Sequence, residues 1–398
     1  MSTQFLSAFA DNALLLLVIA VLQSENQAAF WIPVIKVMFT LSYVISGPWV
    51  GAWSDHQAKH KVMMFSNGIK VFACCALIFG LNPILCFAIT GLGAALYAPA
   101  KYGLVTEIVN EHMLVRANAW IEVSAVCAAL FGFMLGGALV ADTWVSSELY
   151  SSLAKFLPVH HAFNVSMTLV LLIYLSSALL NRKIPDSGCR YPKTAWKLSV
   201  VWNHFLDDQK KLWHDPLART SLSVTSLFWG IGATMQLLVL AWAQSLLQLN
   251  LTQSAYLQAA SAIGVMLGAT LASHFVSLKN APRVLLAGIC LGCSLPIMVM
   301  IHDWTWALML TLILGALGGF FVVPMNALLQ ARGVKLLSAG RSISVQNTCE
   351  NSSVLLLLCV YSAMVYFQLS VETLIWALAG LIVTGMSLVT WQHHRNHT

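Results

Sequence analysis

Residues 3–22 read TQFLSAFADNALLLLVIAVL, an apolar run whose one charge is Asp11, with Asn12 beside it. A helix rises about 1.5 Å per residue, so such a run reaches about 30 Å, the thickness of a bilayer's hydrocarbon core. A helix also closes its own backbone hydrogen bonds, as lipid requires. The run lacks a basic leading segment and carries an acid, so it reads as a membrane span and not as a cleaved signal peptide. Working outward, similar runs recur near 31–53, 62–80, 84–105, 117–140, 162–181, 221–247, 254–276, 284–301, 306–330, 342–367 and 372–391. The whole chain has 398 residues, 59% hydrophobic and 9% charged, and a mean hydropathy of +0.77. Soluble domains carry roughly 25% charged residues. The fold class predicted is therefore an all-α membrane protein of twelve transmembrane helices.

Basic residues orient it. With the N-terminus in the cytoplasm, all 21 lysines and arginines fall in cytoplasmic segments except Lys155, outside, and Lys36, Lys70 and Lys101, within spans. Cytoplasmic loops of membrane proteins are enriched in Lys and Arg, so both termini are expected inside. The net charge of +6 then follows from topology and calls for no nucleic-acid partner. Lys36 lies near the outer end of its span, beside Trp31 and Pro33, where a long cationic side chain can snorkel to the interface.

The longest cytoplasmic connection, 182–220, divides the spans six and six. Three units are expected: a six-helix bundle over 1–181, the linker 182–220, and a second six-helix bundle over 221–398. Trp196, Trp202 and Trp213 among basic residues such as Lys193 suit an interfacial amphipathic helix, and a solvated linker fits equally well. Pro99 and Pro324 are 225 residues apart, as are Arg116 and Arg341. The same shift pairs Gly93 with Gly318, Lys101 with Asn326 and Asp11 with Gln236. A duplicated six-helix unit, with pseudo-symmetric halves, accounts for this.

Charged and amide residues inside spans carry the functional signal, because each charge costs at least about 2.5–3.5 kcal/mol at a helix centre unless paired or hydrated. They are Asp11, Asn12, Lys101, Asn118, Glu122, Asn326, Gln346, Asn347, Glu350 and Asn351. Counted along their helices, most share a depth in the inner half of the membrane and could line one cavity. Asp11 with Lys101 is the expected ion pair, and Lys70 with Asn67 is left without an assignment. The substrate-binding candidates are Asp11, Asn12, Lys101, Glu122, Gln236, Asn326, Gln346, Asn347 and Glu350. Gly132 and Gly136, spaced as GxxxG, read as a helix-packing surface.

No catalytic constellation is present. There is no phosphate-binding loop for ATP, and His204 stands at the wrong spacing from Asp207 and Asp208 for an acyltransferase. Of the nine cysteines, Cys290 and Cys293 form a CxxC without a second pair, so no metal site is expected. No cofactor is expected, and the driving force, Na+ or H+, stays open.

The loop after the second span runs from Gly51 through Asp55 to Lys59 and Lys61. It resembles the cytoplasmic signature of the major facilitator superfamily. Gly51, Asp55, Lys59, Lys61, Arg116 and Arg341 are thus candidate gating residues: Gly51 for close helix approach, Asp55 against a helix N-terminus or a basic partner, the lysines to hold the loop in the cytosol. More of the chain, at Gln4–Leu14, Lys61–Lys70, Tyr97–Gly103, Leu227–Gly230, Gly318–Gln330 and Val345–Asn351, is similar to the bacterial lysophospholipid transporter family within that superfamily. Members often carry arginine where this chain has Gln236.

The resemblance implies a flippase that moves lysophosphatidylethanolamine and lysophosphatidylglycerol from the outer to the inner leaflet of the bacterial inner membrane by alternating access. It implies functional coupling to a cytoplasmic-side acyltransferase of the acyl-carrier-protein synthetase type, and a transporter acting as a monomer. Asp11 and Gln236 would serve the amine and phosphate ends of one head group. A polar patch within apolar helices suits an amphiphile better than a sugar. The alternative is an ion-coupled exporter or importer of another amphiphile, with Asp11, Glu122 and Glu350 carrying protons. A membrane-embedded acyltransferase or hydrolase is the remaining, weaker alternative.

Overall fold

The computed structural model describes residues 1–25, 31–157, 163–189, 191 and 197–395. Arg190, Lys193 and Trp196 of the linker lie outside the described residues, as does the side chain of Pro33. Among the described residues, twelve helices are long and apolar enough to cross a membrane. In chain order they are α1 (Ser2–Ser24), α2 (Trp31–His56), α3 (Lys59–Ile78), α4 (Pro83–Ile108), α5 (Leu114–Val140) and α6 (Asn164–Asn181). Then follow α7 (Leu198–His214), which is not a span, α8 (Pro216–Ser245), α9 (Leu251–Phe275) and α10 (Leu285–Ser294). The last are α11 (Trp304–Leu336), α12 (Ala339–Tyr366) and α13 (Val371–Arg395). The ninth span is broken: α10 is entered through a 3-10 turn at Leu278–Val284, and beyond Pro296 a short helix runs Ile297–Met300. Large apolar side chains such as Phe72, Phe131, Met134, Leu286 and Trp376 are exposed, as suits helices surrounded by lipid.

The chain divides into two compact units, Met1–Glu107 with Cys127–Trp202, and Ile108–Val126 with Asn203–Thr398. The first half of α5 thus groups with the second unit and the other half with the first.

In the first unit the core is one face of α1 (Ala10, Leu14, Leu17, Val18, Val21) packed on Cys74 and Leu77 of α3 and on Met167, Val170 and Tyr174 of α6. The GxxxG of α5 works as a packing surface. A Cβ on Gly132 would stand 2.6 Å from the Phe9 carbonyl oxygen, and one on Gly136 3.0 Å from that of Ala13, so only glycine lets α5 lie this close to α1.

In the second unit the corresponding device joins α9 to α11. Cβ atoms on Gly264 and Gly268 would collide with the carbonyls of Leu312 and Ala316, and on Gly315 and Gly319 with those of Ser261 and Val265. The four glycines interlock reciprocally, backbone on backbone.

Part of the linker, Leu198–His214, is an amphipathic helix, but one packed on protein along its buried face and not simply laid on a membrane surface. On the buried face of α7, Phe205 and Leu212 meet Ala218 and Leu222 of α8, Leu329 of α11 and Val345 of α12. Part of its apolar surface is therefore spent on protein, while Trp202, Leu206 and Trp213 stay exposed. Asp208 and Arg341, at the first turn of α12, hold it by a two-pronged ion pair. Burial pushes the Asp208 carboxyl above the usual carboxylate range, against the pull of Arg341. Asp215 caps α8 by accepting from Ala218 N at 2.9 Å and also pairs with Arg332. Burial raises its pKa, but the Arg332 and backbone hydrogen bonds prevail and hold it below the usual range.

Candidate transport site

Within the first unit Asp11 belongs to a ladder of polar residues joining α1, α3 and α6. Asp11 lies about 14 Å along α1, and Lys70 about 17 Å along α3, at the rise of a helix. Lys70 Nζ is 2.6 Å from Asp11 Oδ2, and Tyr174 OH of α6 donates to Asp11 Oδ1 at 2.8 Å. Lys70 Nζ also donates to Ser7 Oγ at 2.9 Å. Ser7 donates to Asn67, Asn67 to Ser177, and Ser177 to the Thr3 carbonyl. The rings of Tyr97 and Tyr174 lie 5.7 and 5.8 Å from the Lys70 ammonium. Lys70 is 1% exposed.

This corrects the expected pairing: the partner of Asp11 is Lys70, not Lys101. A lysine stem this deep needs space, and Gly93 of α4 makes it, because a Cβ there would stand 2.8 Å from Lys70 Cγ. Lys101 is only partly buried, and its ammonium sits 3.9 Å over the neighbouring Tyr102 ring. It lies about 10 Å from the C-terminal end of α4, at the rise of a helix. Asn12 turns back to the Ala8 carbonyl of its own helix.

The second unit holds the other polar group. Gln346 donates to Asn326 Oδ1 at 2.9 Å and to Glu350 Oε1 at 2.7 Å, joining α11 to α12. All three side chains are buried, as is Glu122. Four residues before Glu122 on α5, Asn118 exchanges two hydrogen bonds with Gln330 of α11, at 2.8 and 2.9 Å. The buried Asn347 amide nitrogen has no hydrogen-bond partner among the described residues. Gln236 of α8 is exposed, and its backbone carbonyl accepts from Gln258. Asp11 and Lys101 belong to one unit and Glu122, Gln236, Asn326, Gln346, Asn347 and Glu350 to the other.

The gating candidates also divide. Lys59 lies 2.7 Å from Asp55 and 3.6 Å from Glu107, and Tyr191 stacks 5.2 Å from it. Lys59 is thus buried beneath the loop and does not reach into the cytosol as expected. The basic partner foreseen for Asp55 is Lys59 itself, four residues on. Ser187 donates to the other oxygen of Glu107, so the irregular segment after α6 straps this cluster. Tyr191 OH is pushed up by burial and by the Glu107 carboxylate. Gly51 is buried, Lys61 and Arg116 are exposed, and Arg341 is spent on Asp208.

Sequence reasoning missed Lys70, Ser7, Tyr174 and Ser177 as partners of the site. The available signal was the lone lysine of span three on the same face as Asn67, three residues earlier. It also missed Asp208, whose signal was an acid on the apolar face of α7.

Residues 1–357 match the Major Facilitator Superfamily. The chain is 38% identical to the lysophospholipid transporter LplT of Shigella flexneri, over 99% of this chain and 94% of that one. It is 37% identical to the lysophospholipid transporter LplT of Escherichia coli O7:K1 (strain IAI39), with the same coverage. Among solved structures, the human organic anion transporter MFSD10 is similar at TM-score 0.75 and 15% identity, over 97% of this chain and 98% of that one. The major facilitator transporter FucP is similar at TM-score 0.73 and 14% identity, over 99% and 96%. The last two show fold alone. Twelve spans, two compact units, a motif at Gly51–Lys61 and a match over most of the length agree: this chain belongs to the Major Facilitator Superfamily of membrane transporters.

Proposed function

We propose that the chain flips lysophospholipids, lysophosphatidylethanolamine and lysophosphatidylglycerol, from the outer to the inner leaflet of a bacterial inner membrane by alternating access. The observation that carries this reading is the near-complete alignment with relatives named as lysophospholipid transporters. The polar groups fit such a cargo. A sixteen-carbon tail exposed to water costs about 13 kcal/mol at about 0.8 kcal/mol per CH₂, so the tail stays in lipid and only the head group is sheltered. Asp11, Lys101, Glu122, Gln236, Asn326, Gln346, Asn347 and Glu350 are the proposed head-group residues. Gly51, Asp55 and Lys59 are proposed to act in gating. The returned lysolipid would be reacylated by a cytoplasmic-side enzyme.

The test is reconstitution into vesicles with labelled lysolipids of both head groups, with and without Na+ and H+ gradients. The expected result is uptake above protein-free vesicles. Equal uptake with and without protein would overturn the reading, and net export of an unrelated amphiphile would favour the ion-coupled alternative.

A further inference from the structure

Asp11 stands among the proposed head-group residues, yet it is already matched by a cation of its own chain. One carboxylate oxygen faces Lys70 and the other Tyr174. The Asp11 side chain keeps 17% exposure while Lys70 keeps 2%. The lysine is therefore behind the acid, caged by Ser7, Tyr97 and Tyr174, and cannot itself grip a phosphate. An isolated carboxylate at this depth would repel any anionic head group and attract a cationic one. Paired at 2.6 Å, the two charges cancel at the distance of a substrate, and Asp11 presents a hydrogen-bond acceptor without net charge.

We infer that Lys70 is a specificity-determining residue: by holding Asp11 in an electroneutral pair, it lets the site accept anionic and zwitterionic lysolipids alike. This rests on the lysolipid reading above. Lys70 acts through Asp11 and touches no substrate.

The test reads a ratio, uptake of lysophosphatidylglycerol (net charge −1) over lysophosphatidylethanolamine (net charge 0), in vesicles holding equal amounts of folded protein. Lys70→Met unmasks the carboxylate, and the ratio is expected to fall about tenfold, the scale of one uncompensated charge at close range in a partly screened site. Asp11→Asn leaves the ammonium unopposed, and the ratio is expected to rise. Asp11→Asn with Lys70→Met restores neutrality, and the ratio is expected to return to that of the unaltered protein. Lys70→Arg keeps the charge and is expected to keep the ratio. A loss of packing alone would lower both substrates together and leave the ratio still. If Lys70→Met does not fold, the opposite shift in Asp11→Asn and its reversal in the double variant decide. An unmoved ratio in folded single variants overturns the inference, as does a folded double variant that moves neither lipid. If the unaltered protein moves neither lipid, the lysolipid reading itself has failed.

Discussion

The amides of Asn118 and Gln330 exchange two hydrogen bonds, and each side chain is 2–3% exposed. Neither can find water if its partner is removed, and an orphaned buried polar group costs about 1–3 kcal/mol. Gln330→Leu is therefore expected to lower the apparent unfolding temperature in detergent. The double change, Asn118→Leu with Gln330→Leu, is expected to recover most of the loss. A double variant less stable than the single one would show that the pair is not the unit. At this scale the sequence was partly legible. Intramembrane acids and amides announce themselves through their cost in lipid, so Asp11, Glu122 and Glu350 were found. Their partners depend on which faces meet, and a helix that is apolar nearly all round does not declare its inward face. Lys70 thus went unassigned, and Asp11 was given to Lys101.

Helix pairs add what single residues cannot. The contact of α9 with α11 places carbonyl oxygens where Cβ atoms would be, at four glycines in reciprocal register. Gly268→Ala must push the helices apart, and overpacking of this kind costs roughly 1–3 kcal/mol. A fall of several degrees in apparent unfolding temperature is expected. Gly137→Ala is the matched control, since its Cβ meets nothing within 4 Å. Equal stability of the two variants would contradict the interlock. The GxxxG of α5 was legible because its spacing alone marks a packing stripe. Helix α7 was legible only as amphipathic, for the same apolar face fits lipid or protein. Asp208, buried against Arg341, shows that the side carrying it packs on protein.

For the whole molecule, the number of spans was the most legible property, because length and apolar composition are set locally. Most of their bounds ran longer than expected, the sixth span and the helix of the broken ninth excepted: α11 extends to Leu336, and its last turns carry Arg332 and Lys335, which pair with Asp215 and Glu111. Orientation is an expectation of charge placement. Cys189 is exposed in the segment after α6. A membrane-impermeant maleimide is expected to label it only after intact spheroplasts are broken, whereas Ser152→Cys should label in intact spheroplasts. Labelling of Cys189 from outside would reverse the topology.

The bond between Asp11 and Lys70 also bears on how the chain is made. Ribosomes deliver α1 before α3, and each helix brings to the insertion machinery one charge that costs about 2.5–3.5 kcal/mol alone at the bilayer centre. Released singly into lipid, both would bear that cost. Released together they cancel it, since the acid of the first span is waiting when the lysine of the third arrives. The pair therefore favours retaining α1 beside the translocon until α3 is complete, a birth order written into two side chains 59 residues apart.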